Sequence, residues 1–461
     1  MSSYTNGGVV VVVDEMEKRE RSAGGHLVLL PCPLQGHMNP MLHLANLLHS
    51  KGFSITIVHT QFKSPNPSGY PSDINFKSIP DGLSKDQEDD LVSLLLNLNL
   101  NCEAPVRDFL LQMQSNRSGQ EPFLGIIHDA SLYFVSAIAD DMKLPRFAFK
   151  TNNMTFYVGY LLTTQKGCHP IKDEELEEPV FVLPFLKIKD LPEVKSSDLH
   201  IQVGKMVDAT RTATAVICNT LKQLEQNALP MFQQDLSIPV FLVGPLHKYS
   251  ISPPTTATDR SCISWLDTQA PSSVIYISFG SLVTISGSEL VEMAWGLANS
   301  KKNFLWVVRP SSVHNSQWVE LLPKEFEELI TNGRGRIVKW VPQQEVLAHP
   351  AIGGFWTHSG WNSTLESITE GVPMLCSPRF GDQRINARLV SCVWGVGIQI
   401  ENDGMERGLI EKSIRRVMVD KEGMEMKRRA MDLKEKIEIS LNKGGSSYVA
   451  SEKLKFFIKN G

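Results

Sequence analysis

Regular cysteine spacing is the first thing this 461-residue sequence lacks. Its seven cysteines are odd in number, scattered and never arranged as C-x-x-C. Secreted disulfide scaffolds and zinc sites both depend on such spacing, so the pattern argues against either kind of structure. We therefore expect free thiols, a cytoplasmic location, no metal ion and no cofactor.

Blocks of positive charge and long apolar runs are also missing. The chain has 46 basic and 50 acidic residues, a net charge of −4 and no extended Lys/Arg segment, which argues against a nucleic-acid partner. No apolar run approaches the roughly 18 residues that cross a bilayer, so we expect no membrane span. The valine run Val9–Val13 is too short for a signal-peptide core, and we predict that residues 1–25 form a disordered leader.

Two domains are expected from the length and from the order of the predicted elements. The chain exceeds the roughly 100 to 200 residues of a typical domain. Short β-branched runs alternate with helical stretches in both halves, which is typical of parallel sheets wound with crossover helices. A segment rich in Pro, Ser and Thr marks the boundary. We predict an N-terminal domain, a linker, a C-terminal domain and a final helix packing back towards the N-terminal domain, over residues 26–243, 244–260, 261–440 and 441–461.

Neither common glycine-rich nucleotide signature is present, G-x-G-x-x-G after a strand or G-x-x-x-x-G-K-[ST]. A different polar cluster occurs in the stretch FWTHSGWNSTLES, which begins at Phe355. A β-like run there breaks into a turn and a helical pattern, with His358, Ser359, Asn362 and Ser363 around the junction. First-turn amides, the helix dipole and neutral side-chain donors would together suit a diphosphate.

Glu366 lies one helical turn further on, on the face shared with Asn362 and Ser363. A carboxylate beside a diphosphate is suited to accept both hydroxyls of a ribose. A purely structural alternative is that Asn362 and Ser363 cap the helix and Glu366 completes a capping box with Ser363. This stretch by itself leaves both interpretations open.

Two neighbouring segments offer partners for the rest of a nucleotide sugar. Upstream, Trp340 and Gln343 stand on either side of a proline. A Trp face can stack on a base and a Gln amide can pair with its edge, although a lone Trp at a strand end is usually a core residue. Downstream, Asp382 and Gln383 follow a strand and are suited to bind sugar hydroxyls.

Together these pieces span the 44 residues from Trp340 to Gln383, which resemble over their whole length the signature box of plant family 1 UDP-dependent glycosyltransferases. The segments PCPLQGHMNPMLHLANLL, YISFGS and the final GGSS resemble the family as well. Among its branches, the chain is most similar to the one with cytokinin and steviol-glycoside glucosyltransferases. The resemblance implies an α/β GT-B fold, two Rossmann-like domains facing across a cleft, with the donor held by the C-terminal one.

The resemblance also implies UDP-glucose as the donor substrate and assigns roles along it. From uracil through ribose and diphosphate to sugar, the implied donor-binding residues are Trp340, Gln343, Glu366, His358, Asn362, Ser363, Ser281, Trp361, Asp382 and Gln383. In the family, His at the position of Gln383 is linked to galactose, and Arg at the position of Trp361 would pair with a glucuronate carboxylate. The residues present therefore favour glucose.

His37 and Asp129 are the candidates for a general base. His37 follows a predicted strand and precedes a helix expected to start near Asn39, and Asp129 ends another strand of the same sheet. An imidazole oriented by a carboxylate can remove a proton. A lone His is more often a hydrogen-bonded interior group, and the resemblance of both segments to the family favours the catalytic interpretation. His128, the neighbour of Asp129, is not expected to be the base.

The acceptor is the part of the reaction that the sequence defines least. By resemblance, its site would be lined by Thr151, Asn152, Phe156, Tyr160, Leu282 and Gly381. Phe156 and Tyr160 predict an acceptor with an apolar or aromatic body. We expect a monomeric, metal-independent, inverting enzyme that transfers glucose to a hydroxyl of a terpenoid, phenolic or hormone-like plant metabolite and forms a β-glucoside. The alternatives are a nucleotide-sugar epimerase of the same fold and a non-catalytic UDP-sugar-binding protein.

Overall fold

The computed structural model describes residues 24–84, 90–115, 121–166, 173–194, 196–249, 260–309, 322–400 and 405–460. They fall into two units. Unit 1 contains the described parts of residues 1–168, 194–253 and 443–461, and unit 2 contains those of 169–193 and 254–442. The predicted leader, except for its last two residues, and most of the predicted linker lie outside the described residues.

Fifteen strands are found in the described residues. Numbered along the chain, they are β1 His26–Leu30, β2 Ser54–Thr60, β3 Asn75–Ile79, β4 Phe123–Asp129, β5 Arg146–Lys150, β6 Pro179–Val180, β7 Leu183–Lys187, β8 Ala215–Cys218, β9 Val240–Leu242, β10 Val274–Ser278, β11 Asn303–Val307, β12 Gly335–Val338, β13 Ile352–Thr357, β14 Met374–Cys376 and β15 Gly397–Gln399.

Sixteen α-helices are described between and after these strands. They are α1 Gln35–Ser50, α2 Leu91–Asn101, α3 Glu103–Ser115, α4 Val135–Met142, α5 Met154–Lys166, α6 Ser197–Arg211, α7 Leu229–Asp235, α8 Ser261–Leu266, α9 Gly287–Ser300, α10 Lys324–Thr331, α11 Gln343–Ala348, α12 Trp361–Thr369, α13 Gln383–Arg388, α14 Arg407–Met418, α15 Lys421–Leu441 and α16 Ser446–Asn460.

Unit 1 is built on a seven-stranded parallel sheet with the order β3-β2-β1-β4-β5-β8-β9. The middle residues of its central strands are mainly apolar because helices cover both faces of such a sheet. Leu29 and Ile127, neighbours on β1 and β4, are fully buried. The last helix, α16, belongs to this core through Leu454 and Ile458. The carboxyl ends of β1, β4 and β5 therefore lie side by side at one edge.

Unit 2 is built on a six-stranded parallel sheet with the order β12-β11-β10-β13-β14-β15. Ile277, Trp306 and Trp356 from its central strands are fully buried in one core. Helix α9 begins with a capping box, in which Ser286 and Glu289 each bind the other's backbone amide. Strand β13 lies beside β10, so the segments that follow these two strands meet at the carboxyl edge of the sheet.

One segment departs from the expected domain boundaries. The prediction that residues 26–243 form a single domain is wrong for the described residues 173–193, which are grouped with unit 2. Strands β6 and β7 form an antiparallel hairpin there. The buried Asp190 that follows pairs with the Arg388 guanidinium at 2.8 Å, and Arg384 donates to the carbonyl of Lys189 at 3.0 Å. These contacts attach the segment to helix α13.

One helix start differs from the prediction, and one capping alternative is excluded. Helix α1 begins at Gln35 rather than near Asn39, so His37 lies in its first turn. Pro40 is accommodated inside the helix close to its start, at the cost of one intrahelical hydrogen bond. Helix α12 begins at Trp361 after Gly360, which has no side chain and makes no side-chain cap. The alternative in which Asn362 and Ser363 cap this helix is therefore wrong.

The described residues contain neither a membrane-spanning helix nor a cluster of metal ligands. Among the helices α1 to α16, none has the length and apolar character needed to cross a bilayer. Within the described ranges, no three or more His, Cys, Asp or Glu side chains are grouped so that they could hold a metal ion.

Candidate active site

His37 and Asp129 are brought together at the carboxyl edge of the sheet in unit 1. Nδ1 of His37, in the first turn of α1, lies 2.8 Å from Oδ2 of Asp129 at the end of β4. The Thr151 hydroxyl, just after β5, lies 3.1 Å from the same nitrogen. The His37 side chain is 28% exposed and Asp129 only 2%. If Nδ1 donates to the carboxylate, Nε2 is the unprotonated nitrogen, and this tautomer can accept a proton.

The Asp129 carboxylate is held on both oxygens. Oδ1 accepts hydrogen bonds from the backbone N–H of Ser131 at 2.9 Å and from its hydroxyl at 2.6 Å. Burial by itself raises the pKa of Asp129, but the His37 charge and the hydrogen bonds from His37 and Ser131 outweigh it, and the pKa is lowered. Asp129 is thus a buried carboxylate that stays ionised and fixes the imidazole.

His128 does not share this arrangement. It is fully buried, and its Nδ1 is hydrogen-bonded to the carbonyl of Asp129 at 2.9 Å. Burial, with the nearby Arg146 charge, lowers the pKa of His128 to about 4. The ring is therefore neutral at physiological pH and shielded from solvent, as expected for an interior residue.

The residues expected to line an acceptor site are divided between the two units. Thr151, Asn152, Phe156 and Tyr160 belong to unit 1, and Leu282 and Gly381 to unit 2. In helix α5 the Phe156 and Tyr160 rings pack together with centroids 4.5 Å apart. The four unit 1 residues follow β5 within ten positions, so the polar Thr151 and the aromatic pair are presented by one short stretch.

His358 stands at the junction of β13 and α12 in a space that only glycines leave open. A Cβ at Gly280 would lie 2.6 Å from the imidazole ring, and one at Gly360 would lie 2.5 Å from it. Burial, reinforced by the charge of Arg309, lowers the pKa of His358 to about 4. A neutral imidazole keeps one N–H donor, which suits a phosphate oxygen without placing a formal charge there.

The first turn of α12 is connected to α11 through one amide. Gln343 accepts a hydrogen bond from the Tyr276 hydroxyl at 3.0 Å and donates to Oγ of Ser363 at 3.0 Å and to Oε2 of Glu366 at 2.6 Å. Gln344 donates to the other Glu366 oxygen at 3.2 Å. The amide expected to read the edge of the base is therefore engaged by protein groups. The Trp340 side chain, just before this helix, is 44% exposed.

Trp361, Asp382 and Gln383 lie at the starts of helices α12 and α13. Trp361 is nearly buried, with its ring 6.2 Å from that of Trp394. Oε1 of Gln383 accepts hydrogen bonds from the backbone amides of Arg379 at 2.9 Å and Phe380 at 3.3 Å. This orientation leaves the two Nε2 hydrogens of Gln383 as its donors.

Comparison with known proteins identifies the architecture. A family model described as UDP-glucoronosyl and UDP-glucosyl transferase matches residues 251–435. UDP-glycosyltransferase 76B1 of Arabidopsis thaliana is 43% identical over 454 residues, covering 96% of this chain and 99% of that protein. The chain belongs to the plant family 1 UDP-dependent glycosyltransferases. A flavonol 3-O-glucosyltransferase of Arabidopsis thaliana, UGT76E12, is 42% identical, and the alignment covers 95% of this glycosyltransferase and 98% of that protein.

Solved structures of other plant glycosyltransferases have the same fold. Medicago truncatula UGT71G1, complexed with UDP-glucose, has a TM-score of 0.83 at 27% identity, with 95% of this glycosyltransferase and 99% of that chain covered. Os79 from O. sativa, in complex with U2F and trichothecene, has a TM-score of 0.79 at 27% identity and coverages of 94% and 100%. The glycosyltransferase therefore has the GT-B fold, with two Rossmann-like units.

Three residues at the glycosyltransferase site were missed by sequence reasoning. Tyr276 orients the Gln343 amide, as described above. Arg309 donates to the carbonyls of Ser281 at 2.6 Å and Val283 at 3.3 Å and so holds the loop after β10. Asn386 binds the turn before α12. Arg309 follows the end of β11 by two residues and Asn386 lies one helical turn after Asp382, so spacing could have suggested both.

Proposed function

We propose that this glycosyltransferase moves glucose from UDP-glucose to a hydroxyl of a small plant metabolite with inversion, giving a β-glucoside. The observation that carries the proposal is the His37–Asp129 pair, a partly exposed imidazole 2.8 Å from a buried, ionised carboxylate. Such a pair serves as a base for an alcohol. A binding protein would have no use for it.

Donor binding is assigned to the groups at the carboxyl edge of the unit 2 sheet. The first-turn amides of α12, with Asn362, Ser363 and the neutral His358, would bind the diphosphate, and the loop at Ser281 would add donors. Glu366 would accept the ribose hydroxyls. The uracil would stack on the exposed face of Trp340. A nucleotide that uses the Gln343 amide must replace one of that residue's present contacts.

The chemical step follows from the tautomer of His37. Nε2 takes the proton of the acceptor hydroxyl while that oxygen forms a bond to the anomeric carbon of glucose. The bond from that carbon to the diphosphate oxygen breaks, and its electron pair leaves with UDP. Asp129 stabilises the imidazolium that forms, and the start of α12 stabilises the charge on the leaving diphosphate. Attack from the face opposite UDP turns an α-linked donor into a β-glucoside.

Glucose is favoured as the transferred sugar by Trp361, Asp382 and Gln383. The Nε2 group of Gln383 is available to donate to a sugar hydroxyl, since its Oε1 is taken by backbone amides. A relative of known structure was solved in complex with UDP-glucose, and another relative is named as a glucosyltransferase. Both relatives support glucose as the transferred sugar.

The proposed acceptor has an apolar or aromatic body and reacts through a hydroxyl. The support is the Phe156–Tyr160 ring pair, which follows Thr151 in the same short stretch. Terpenoid, phenolic and hormone-like alcohols fit this description. A strict preference for highly polar acceptors would contradict it. We also propose that the enzyme acts as a monomer in the cytoplasm.

The test is UDP release from UDP-glucose with and without a panel of such alcohols. Acceptor-dependent release of UDP together with a β-linked product supports the proposal. Turnover of UDP-N-acetylglucosamine without any acceptor would indicate an epimerase instead. Tight binding of UDP-glucose without UDP release in any mixture would indicate a non-catalytic protein.

A further inference from the structure

Asn386, in the middle of helix α13, makes two hydrogen bonds with one amide group. Its side chain is fully buried, and Nδ2 donates to the backbone carbonyl of Ser359 at 2.8 Å and to Oδ2 of Asp382 at 3.0 Å. An Asn NH₂ group has two hydrogens, so each acceptor can receive one. Asn386 thus joins two parts of the proposed donor site that are 23 positions apart along the chain.

Ser359 needs external support because its backbone is in the left-handed region, with φ of 65°. A non-glycine residue keeps this conformation only where its surroundings hold it. Its N–H donates to Oγ1 of Thr357 at 3.1 Å, and its carbonyl accepts from Asn386. The turn between β13 and α12, which sets the direction of the first-turn amides, is therefore held on both sides.

Asp382 is oriented by the same amide. It lies immediately before α13, one turn from Asn386, and the hydrogen bond to Oδ2 fixes the plane of its carboxylate. The adjacent Gln383 is fixed as well, through its bonds to the amides of Arg379 and Phe380. The two side chains proposed to bind sugar hydroxyls are thus held in place before any ligand arrives.

We propose that Asn386 is a positioning residue that keeps the diphosphate-binding turn and the sugar-binding carboxylate in register for one nucleotide sugar. The inference rests on the proposed function. A displacement of Ser359 relative to Asp382 would let the diphosphate or the sugar bind well, but not both. Asp in place of Asn386 would keep the side-chain shape, remove both donors and set a carboxylate against a carbonyl and a second carboxylate.

The experiment compares dissociation constants for UDP and for UDP-glucose by calorimetry, with melting temperatures measured in parallel. Asn386→Asp is expected to weaken UDP-glucose binding by about tenfold or more, and UDP binding by several-fold, because charge-assisted and carbonyl hydrogen bonds are lost together. Asp382→Asn keeps an oxygen for Asn386 to donate to, so it is expected to weaken UDP-glucose and leave UDP unchanged. This difference in ligand pattern is what distinguishes positioning from simple loss of a sugar contact.

Two further variants make the outcome decisive. Asn303→Asp changes an amide of the same unit at the amino end of β11, where its Nδ2 donates to Gln269, and should leave both dissociation constants unchanged. Asn386→Ser is neutral and keeps one hydrogen-bond donor, so it replaces Asn386→Asp in the test if that variant does not fold. It is expected to weaken the binding of both UDP and UDP-glucose.

The proposal is overturned if the Asn386 variants melt at a lower temperature yet bind both ligands like the wild type. It is also overturned if they match Asp382→Asn, with UDP binding unchanged. Failure of the wild-type enzyme to bind either ligand would instead refute the proposed function itself.

Discussion

Replacing Asp129 by Asn changes one atom and should invert the tautomer of His37. The carboxylate now accepts from His37 on Oδ2 and from the N–H and hydroxyl of Ser131 on Oδ1. Asn offers one oxygen and one NH₂ group for these two sides. If the NH₂ group of this Asn faces Ser131, it is directed at the Ser131 backbone N–H, and this buried N–H no longer has an acceptor. If the oxygen faces Ser131, NH₂ faces Nδ1 of His37 and the ring proton moves to Nε2.

The second orientation is favoured by the cost of a buried, unsatisfied donor. That cost is about 1–3 kcal/mol, which corresponds to a population ratio of about 5- to 160-fold. With Nε2 protonated, His37 cannot accept the proton of an alcohol. We therefore expect turnover by Asp129→Asn to fall by about 10² to 10⁴-fold, the range for loss of a positioned base.

The assay is turnover of an aliphatic alcohol at saturating UDP-glucose, with donor affinity measured by calorimetry. Donor affinity should be unchanged, because Asp129 belongs to the other unit from the proposed donor groups. Ser131→Ala is the matched control: it removes the hydroxyl that binds Oδ1, keeps the backbone donor and leaves the tautomer as it is. It should cost less than about tenfold. Turnover by Asp129→Asn within tenfold of the wild type would refute the tautomer argument.

Three other outcomes are expected. Glu366→Gln should raise KM for UDP-glucose about tenfold with little change in kcat, because the ribose contact is the same in the ground and transition states. A fall in kcat with an unchanged KM, measured by steady-state kinetics, would contradict this role of Glu366. Gln383→Ala should reduce the preference for UDP-glucose over UDP-galactose in competition kinetics, and wild-type turnover of galactose equal to that of glucose would contradict the sugar assignment. Burial lowers the pKa of His43, His128 and His358 to about 4 from the ordinary 6.5. Between pH 6.5 and pH 4 these three side chains bind protons in the unfolded chain but not in the folded one. The free energy of unfolding should therefore decrease as pH falls from 6.5 towards 4. Melting temperatures that stay constant from pH 7 to 4.5 would contradict that last expectation.

The parallel sheets could be predicted from sequence because apolar, β-branched runs signal buried strands. Apolar, β-branched runs in the sequence coincide with all six strands of the unit 2 sheet and with β1, β2, β4, β5 and β8 of the seven in unit 1. The two that were missed are the edge strands β3 and β9. Three of the five residues of β3 are exposed, and they interrupt the apolar pattern that marks a buried strand.

Contacts between residues distant in sequence could not be predicted. Nothing in the local pattern around Asp190 indicates its buried ion pair with Arg388, 198 positions away, which places that segment in unit 2. The local pattern around Asn386 likewise gives no indication that its side chain donates to Ser359. By contrast, His37 and Asp129 were predicted as an imidazole and its orienting carboxylate, since each ends or follows a recognisable strand, and their 2.8 Å contact is a consequence of β1 and β4 being neighbours.

The central claim is that His37 removes the acceptor proton in a UDP-glucose-dependent transfer. The direct measurement is the rate of β-glucoside formation from an aliphatic alcohol by His37→Ala, at saturating UDP-glucose and with the dissociation constant of UDP-glucose determined on the same preparation. An aliphatic alcohol is used because a phenol, with its lower pKa, depends less on a base. The account predicts a rate lowered by about 10² to 10⁴-fold and an unchanged dissociation constant. A rate close to that of the wild type would contradict it.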